Sequence, residues 1–293
     1  MKRKSAWTAA ALLLLAALAV AQTQEQYLDV YTAQVKPEKR TEFDAITKQM
    51  VTANRKNGDT WLTTETVYGP LDRVTFISMR SSFSDIDKAT GAFMGSMEKA
   101  LGKAGTDKLF QEFSQCVVST RTEFRRRRWD LSSNVPSDPA AQMKLIGDAR
   151  WLRTTVVHVK PGQTAAFEAL LKDVKAAREK ASPPQTALVS QAVAGQEGTV
   201  FYVTVPQSSL SGFDAIPTAQ QLLGDEGYAK YLKTVADTVE SSETLINRFL
   251  PELSNASADV VAAAPDYWTP KPVVAAKAKT KGAVVNAAEK DKQ

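Results

Sequence analysis

The chain has a single histidine and a single cysteine, so side-chain catalysis has few candidates. His158 sits in Thr154-Thr155-Val156-Val157-His158-Val159, a run rich in β-branched residues that reads as a strand. Side chains alternate along a strand, which puts Val157 and Val159 on one face and Thr154, Val156 and His158 on the other. With the valines turned toward packed helices, His158 points into the space behind the sheet. There an imidazole can serve as a base or hold a ligand. The alternative is a partly buried imidazole hydrogen-bonded to an opposing strand, because no paired nucleophile or orienting acid accompanies it. The same alternation along 28–35 puts Thr32 and Gln34 on the matching face. The ligand-facing set is therefore Thr32, Gln34, Val156 and His158, with His158 the catalytic candidate.

Arg125-Arg126-Arg127-Arg128-Trp129 is the strongest charge cluster. On a strand, Arg126 and Arg128 face one way and Arg125 and Arg127 the other. Such a run can grip an anionic ligand, touch an anionic surface, or guard a solvated strand edge. Arg126 joins the ligand-binding set together with Arg248, which holds its place in the repeat described below. Trp61, Tyr68, Phe76 and Tyr202 fall on the middle strands, as pocket lining or as ordinary core. Cys116 lies in a helical pattern beside Phe113 and Val117 and reads as a buried, inert thiol. One His and one Cys leave no basis for a His- or Cys-rich metal site. No phosphate loop, nucleophile elbow or metalloprotease motif occurs, so neither metal nor cofactor is expected.

The elements that position these residues occur twice. Tyr27-Leu28 through Val35-Lys36-Pro37 is matched by Trp151-Leu152 through Val159-Lys160-Pro161 at an offset of 124. Each copy reads strand, helix, strand, strand, helix, strand. The first strands cover 28–35 and 152–159. The first helices carry apolar residues at 43, 46, 50, 53 and at 167, 170, 174, 177, one buried stripe each. Second strands fall at 60–68 and 186–193, and third strands at 74–79 and 199–205, aligned by Val74 and Val200. A helical region in two pieces follows, with Gly102 matching Gly224, then last strands at 122–129 and 244–250 in which Arg126 matches Arg248. Asp29 and Arg153 are equivalent positions of opposite charge and could pair across a two-fold axis. This order is the split βαβ, ferredoxin-like unit. Strands one and three are apolar on both faces, so two such sheets must cover each other.

Val159-Lys160-Pro161-Gly162 ending an apolar strand before a helix with Phe167, and Val35-Lys36-Pro37-Glu38 before one with Phe43, are similar to the dimeric α/β-barrel superfamily. That group includes antibiotic-biosynthesis-monooxygenase-like and stress-responsive barrel domains. The resemblance covers most of residues 27–254. It implies two ferredoxin-like units with sheets packed into a barrel around a pocket. It leaves open cofactor-independent oxygenases, haem-binding enzymes, isomerases and domains without activity. The Asn-Trp-His set of the haem-degrading members has no counterpart here, and His158 on a first strand does not match the haem ligand of the chlorite-dismutase-like members.

The predicted fold is therefore α+β, two tandem ferredoxin-like units packed as an intrachain pseudo-dimeric α/β barrel. Residues 1–21 read as a signal peptide, with basic Lys2-Arg3-Lys4, an apolar run over 9–20 and Ala19-Val20-Ala21 before the cleavage point. Repeat one is 27–133, a linker 134–150, repeat two 151–254, and a disordered Ala- and Lys-rich tail 255–293. The net charge of +5 resides in the leader and the tail, leaving a near-neutral body with no general reason to bind nucleic acid. The sequence predicts an exported monomer without a membrane span, binding a small, largely apolar molecule in the barrel. The alternatives are a metal-independent monooxygenase or isomerase-like enzyme with His158 as base, and an envelope protein meeting anionic surfaces through Arg125–Arg128 and the tail.

Overall fold

Strand alternation decides which side chains meet the helices and which meet each other. In the computed structural model, which describes residues 26–269, β1 (Tyr27–Val35) and β5 (Trp151–Val159) follow it closely. Ala33 and Val35 pack with Phe43 and Ile46 of α1 (Arg40–Asn54), and with Met97, Leu109 and Cys116 of α2 (Phe83–Cys116). Val157 and Val159 pack with Phe167 and Leu170 of α4 (Thr164–Ala181). β2 (Leu62–Tyr68), β3 (Arg73–Arg80) and β4 (Val117–Arg127) complete the first set of strands, and β6 (Leu188–Ala194), β7 (Thr199–Gln207) and β8 (Val239–Phe249) the second.

All eight close into one antiparallel barrel in the order β1-β3-β2-β8-β5-β7-β6-β4. The strands of each half stay contiguous, and the halves meet at two seams, β2–β8 and β4–β6. Closure removes every sheet edge. The two halves share local irregularities. β1 slips against β4 between Gln34 and Val35, and β5 slips against β8 between His158 and Val159. Gly102 in α2 and Gly224 in α5 (Ala219–Thr238) break their helices at φ of 70° and 68°. A side chain is strained in that left-handed region, so glycine is the residue that permits the two-piece helix.

The register corrects one alignment. Leu28 pairs with Met79 and Leu152 with Pro206, which makes the offset of the third strands 127. Val74 therefore matches Phe201, both fully buried on the helix side, and Val200 is not its partner. A one-residue slip exchanges the faces of a strand, so this choice is what turns Tyr202 inward beside Val156.

The segment expected to be a linker contains α3 (Pro139–Asp148), begun by Asp138, whose carboxylate accepts from Ala141 N at 2.8 Å. The tail is ordered as far as it is described. After Asn255 bridges Trp61, α6 (Ala258–Ala263) and α7 (Pro265–Trp268) pack on α3. Trp268 is buried against Phe249, and its indole N–H donates to Gly147 O at 2.8 Å. Gly147 allows α6 to come this close to α3, since a Cβ there would lie 2.5 Å from Ala263 Cβ and 2.8 Å from Val260 O. Disorder is thus the wrong expectation for 255–269. The signal segment 1–21 and residues beyond 269 lie outside the described residues. Asp29 does not pair with Arg153. It lies 3.4 Å from the buried Arg80, which also grips Asp59 through two bonds of 2.8 and 2.6 Å.

Ion pairs clasp both seams. Arg128 reaches from β4 to Gln191 on β6 at 2.8 Å and to Glu168 on α4 at 2.5 Å. Glu65 on β2 accepts from Arg40 at 2.8 Å and from Arg248 on β8. Burial pushes the Glu65 carboxyl up, but the two guanidinium groups outweigh it and hold it below its ordinary value of 4.5. A pKa depressed by folding gives stabilisation that is present above the unfolded value and lost as pH falls through the folded one. Denaturant midpoints should drop between about pH 5 and about pH 3 more steeply in the native chain than in Glu65→Gln. Parallel pH profiles would remove Glu65 as a clasp.

Candidate functional site

A barrel wall needs inward side chains large enough to fill it, and this one is lined by many small ones. Thr32, Thr64, Thr66, Thr75, Thr154 and Thr204 all point inward, and the lumen holds a cavity of about 510 Å³. Ile146 of α3, with Ser257 and Val260 at α6, lines it where β1 and β5 begin. These elements join Leu152, Phe249 and Trp268 in an apolar cap over that end.

Thr32, Gln34, Val156 and His158 all line this lumen. The Gln34 amide donates to Leu71 O at 2.8 Å, tying β1 to the β2–β3 turn, and the Thr32 hydroxyl lies 3.3 Å from that of Thr75. His158 sits between Val200 and Ser241 on the neighbouring strands and has no hydrogen-bond partner among the described residues. Arg126 and Arg248 lie elsewhere. Both are exposed outside the barrel, Arg248 on Glu65, so they do not reach the ligand space. The parity of β4 is the reason. Its inward set is Arg121, Glu123, Arg125 and Arg127. Of the aromatics, Trp61 and Tyr202 line the lumen, Phe76 packs in the helix-side core, and Tyr68 is exposed.

The polar wall centres on Glu123, which sequence reasoning missed. Tyr202 donates its hydroxyl to Glu123 Oε2 at 2.6 Å, Arg125 Nε donates to the same oxygen at 2.8 Å, and Gln196 donates to Oε1 at 2.7 Å. The Arg125 guanidinium lies over the Tyr202 ring, 3.5 Å from its centroid. Burial pushes the Tyr202 phenol up, with the Glu123 charge adding to it and Arg125 opposing, so it stays a hydrogen-bond donor at neutral pH. Gln196 arrives from the β6–β7 turn because Gly195, at φ 84°, passes against β4 where a Cβ would stand 2.1 Å from Thr122 O. Inward parity on β4 was the available signal, but equivalence of Arg126 and Arg248 pointed to the opposite face.

Arg127 differs from its neighbours. It is half-buried and lines the lumen, and its Nε is buried without a hydrogen-bond partner. Burial, then the charge of Arg125, pulls its pKa down to about 10, so it remains cationic at neutral pH. Four arginines and two glutamates line the lumen, an excess of positive charge. Among the described residues no group of three His, Cys, Asp or Glu could hold a metal ion. A haem-ligating imidazole is normally held by a hydrogen bond at its other nitrogen. His158 has no such side-chain hydrogen bond among the described residues.

No family model and no curated protein matches the sequence. Solved structures do. An anthrone oxidase-like protein superposes with a TM-score of 0.51 at 14% identity, covering 78% of this chain and 93% of its own. A proposed monooxygenase of Fusobacterium nucleatum subsp. nucleatum gives 0.49 at 12%, covering 78% and 94%. A chlorite dismutase variant of Candidatus Nitrospira defluvii gives 0.45 at 13%, covering 86% and 99%. At such identities the shared property is the fold, an α+β barrel that this chain closes within one polypeptide.

Proposed function

We propose that the protein binds a small organic molecule in the lumen of its barrel, and that the barrel is two fused ferredoxin-like units acting as an intrachain pseudo-dimer. The observation that carries the binding reading is the cavity itself. Interiors of closed barrels of this size are ordinarily filled by side chains, whereas here threonines leave about 510 Å³. Leu28, Ile77, Met79, Leu188 and Leu245 supply apolar wall, and the Glu123 cluster supplies convergent polar groups. The surface-contact reading loses its main support, since Arg125 and Arg127 face inward and Arg128 is buried in ion pairs.

The neutral fluorophore N-phenylnaphthylamine tests the lumen directly. We expect saturable binding with quenching of tryptophan emission, because Trp61 lines the cavity. Ile77→Trp, which fills the lumen, should weaken binding by roughly tenfold or more. Equal binding by the two proteins would place the site elsewhere.

The position of His158 on the lumen wall favours a second reading, a metal-independent oxygenase or isomerase-like enzyme with that imidazole as base. The anthrone oxidase-like relative suggests the assay. We expect no dioxygen uptake when an anthrone is added to the purified protein. Uptake that disappears in His158→Ala would replace the binding reading by the enzymatic one.

We further propose that the protein works outside the cytoplasm, on the signal-like pattern of residues 1–21. Protein recovered from its own host should begin at Gln22. An intact Met1 on the mature protein would reject export by this route.

A further inference from the structure

Among the described residues, the buried guanidinium groups are matched to acceptors. Arg80 holds Asp59, Arg128 holds Asp130 and Glu168, and Arg178 donates to Ser133 Oγ and Gln185 O, each at 2.8 Å. Arg125 is neutralised by Glu123 at 2.8 Å. Arg127, two residues further along the same inward face, makes no ion pair or side-chain hydrogen bond among the described residues. Its guanidinium lies 5.6 Å from the centroid of the Trp129 ring, and its Nε is buried without a partner. An enclosed cation without an anion is costly, and removing or matching its charge relieves that cost.

The fold does not require a cation there. By the register of β4 and β8 against β1 and β5, the place of Arg127 in the second half belongs to Phe249, which packs under Trp268. Two further inward positions of β4 differ from their counterparts in the same way, Glu123 against Leu245 and Arg125 against Asn247, while Arg121 has the oppositely charged Glu243 in its place. One wall of the lumen is charged where the related wall is largely not. Opposite Arg127 across the β4–β6 seam stands Ser190, buried and facing the lumen. Leu28 on β1 and Leu188 on β6 line the cavity on either side.

We propose that the molecule held in the lumen is an organic acid, with its carboxylate paired to Arg127 beside Ser190 and its apolar body along the leucine-lined wall. This rests on the small-molecule binding proposed above and specifies its chemical class. The guanidinium offers a planar pair of donors that a carboxylate matches and a neutral amide does not. Between the Glu123–Arg125 pair and the apolar cap, Arg127 is the charge on that wall without an ion pair.

The test uses 2-naphthoate and its neutral isostere 2-naphthamide, titrated calorimetrically into the full chain. We expect the acid to bind roughly ten- to a hundredfold more tightly than the amide. Arg127→Met should abolish that preference while leaving amide binding in place. Arg127→Lys, which keeps the charge, should retain most of it, and the exposed Arg126→Gln should change nothing. Amide and acid binding equally to the native chain would overturn the organic-acid assignment and leave the lumen as a binding site. Absence of binding by both would overturn the assignment together with the binding reading. Loss of the preference in Arg126→Gln would place the anion on the outer surface and equally overturn it. Retention of the preference in folded Arg127→Met would show that another group holds the acid.

Discussion

Barrel closure is the constraint on which everything else depends. Eight strands joined edge to edge without a gap leave each inward residue facing the same enclosed space, whatever half it comes from. The helices then have only outer faces to cover, and they do so with two separate apolar clusters, one around Phe43 and one around Phe167 and Phe201. The seams carry the burden of keeping the halves in register. At both of them a buried or half-buried charge from one half is matched by the other, Glu65 with Arg248 and Arg128 with Glu168. An ion pair of this kind contributes little net energy against apolar packing, but a misregistered seam would leave its partner unpaired, which is expensive.

The lumen combines two environments that are rarely compatible in one cavity. At one end Phe249, Trp268 and the α3–α6 cap exclude water. Beside β4 a carboxylate, a phenol, a glutamine and an arginine share space, and their mutual hydrogen bonds make that possible. The Glu123 network is internally satisfied, so it shapes the wall without demanding a ligand. Arg127 is the residue at which that satisfaction stops.

Much of the architecture was legible from local pattern. The doubled Val-Lys-Pro segments, the helical stripes at Phe43 and Phe167, and the strand alternation around His158 each depend on periodicity, which neighbouring residues determine. The inward placement of Thr32, Gln34, Val156 and His158 follows from that alternation alone. What was not legible depends on contacts distant in sequence. The parity of β4 is set by how it pairs with β1, so Arg126 looked like the ligand-facing arginine although Arg125 and Arg127 are the ones that line the lumen. The β6–β7 turn brings Gln196 to Glu123 over 73 positions of chain, for which a glycine at 195 gave only a faint cue. The alanine-rich composition after Asn255 suggested no fold, because the order of 256–269 comes from docking Trp268 onto Gly147 and not from its own helical propensity.

The covalent link between the halves has a consequence for how a guest is held. Two identical subunits around such a lumen would present every charge twice, and a bound molecule could sit in either of two equivalent orientations. Joining them in one chain lets Arg127 face a lumen whose related position is Phe249. The internal two-fold axis is then broken where it matters, and the cavity acquires a polarity, with a head and a tail. A guest held as proposed would be oriented in one direction only.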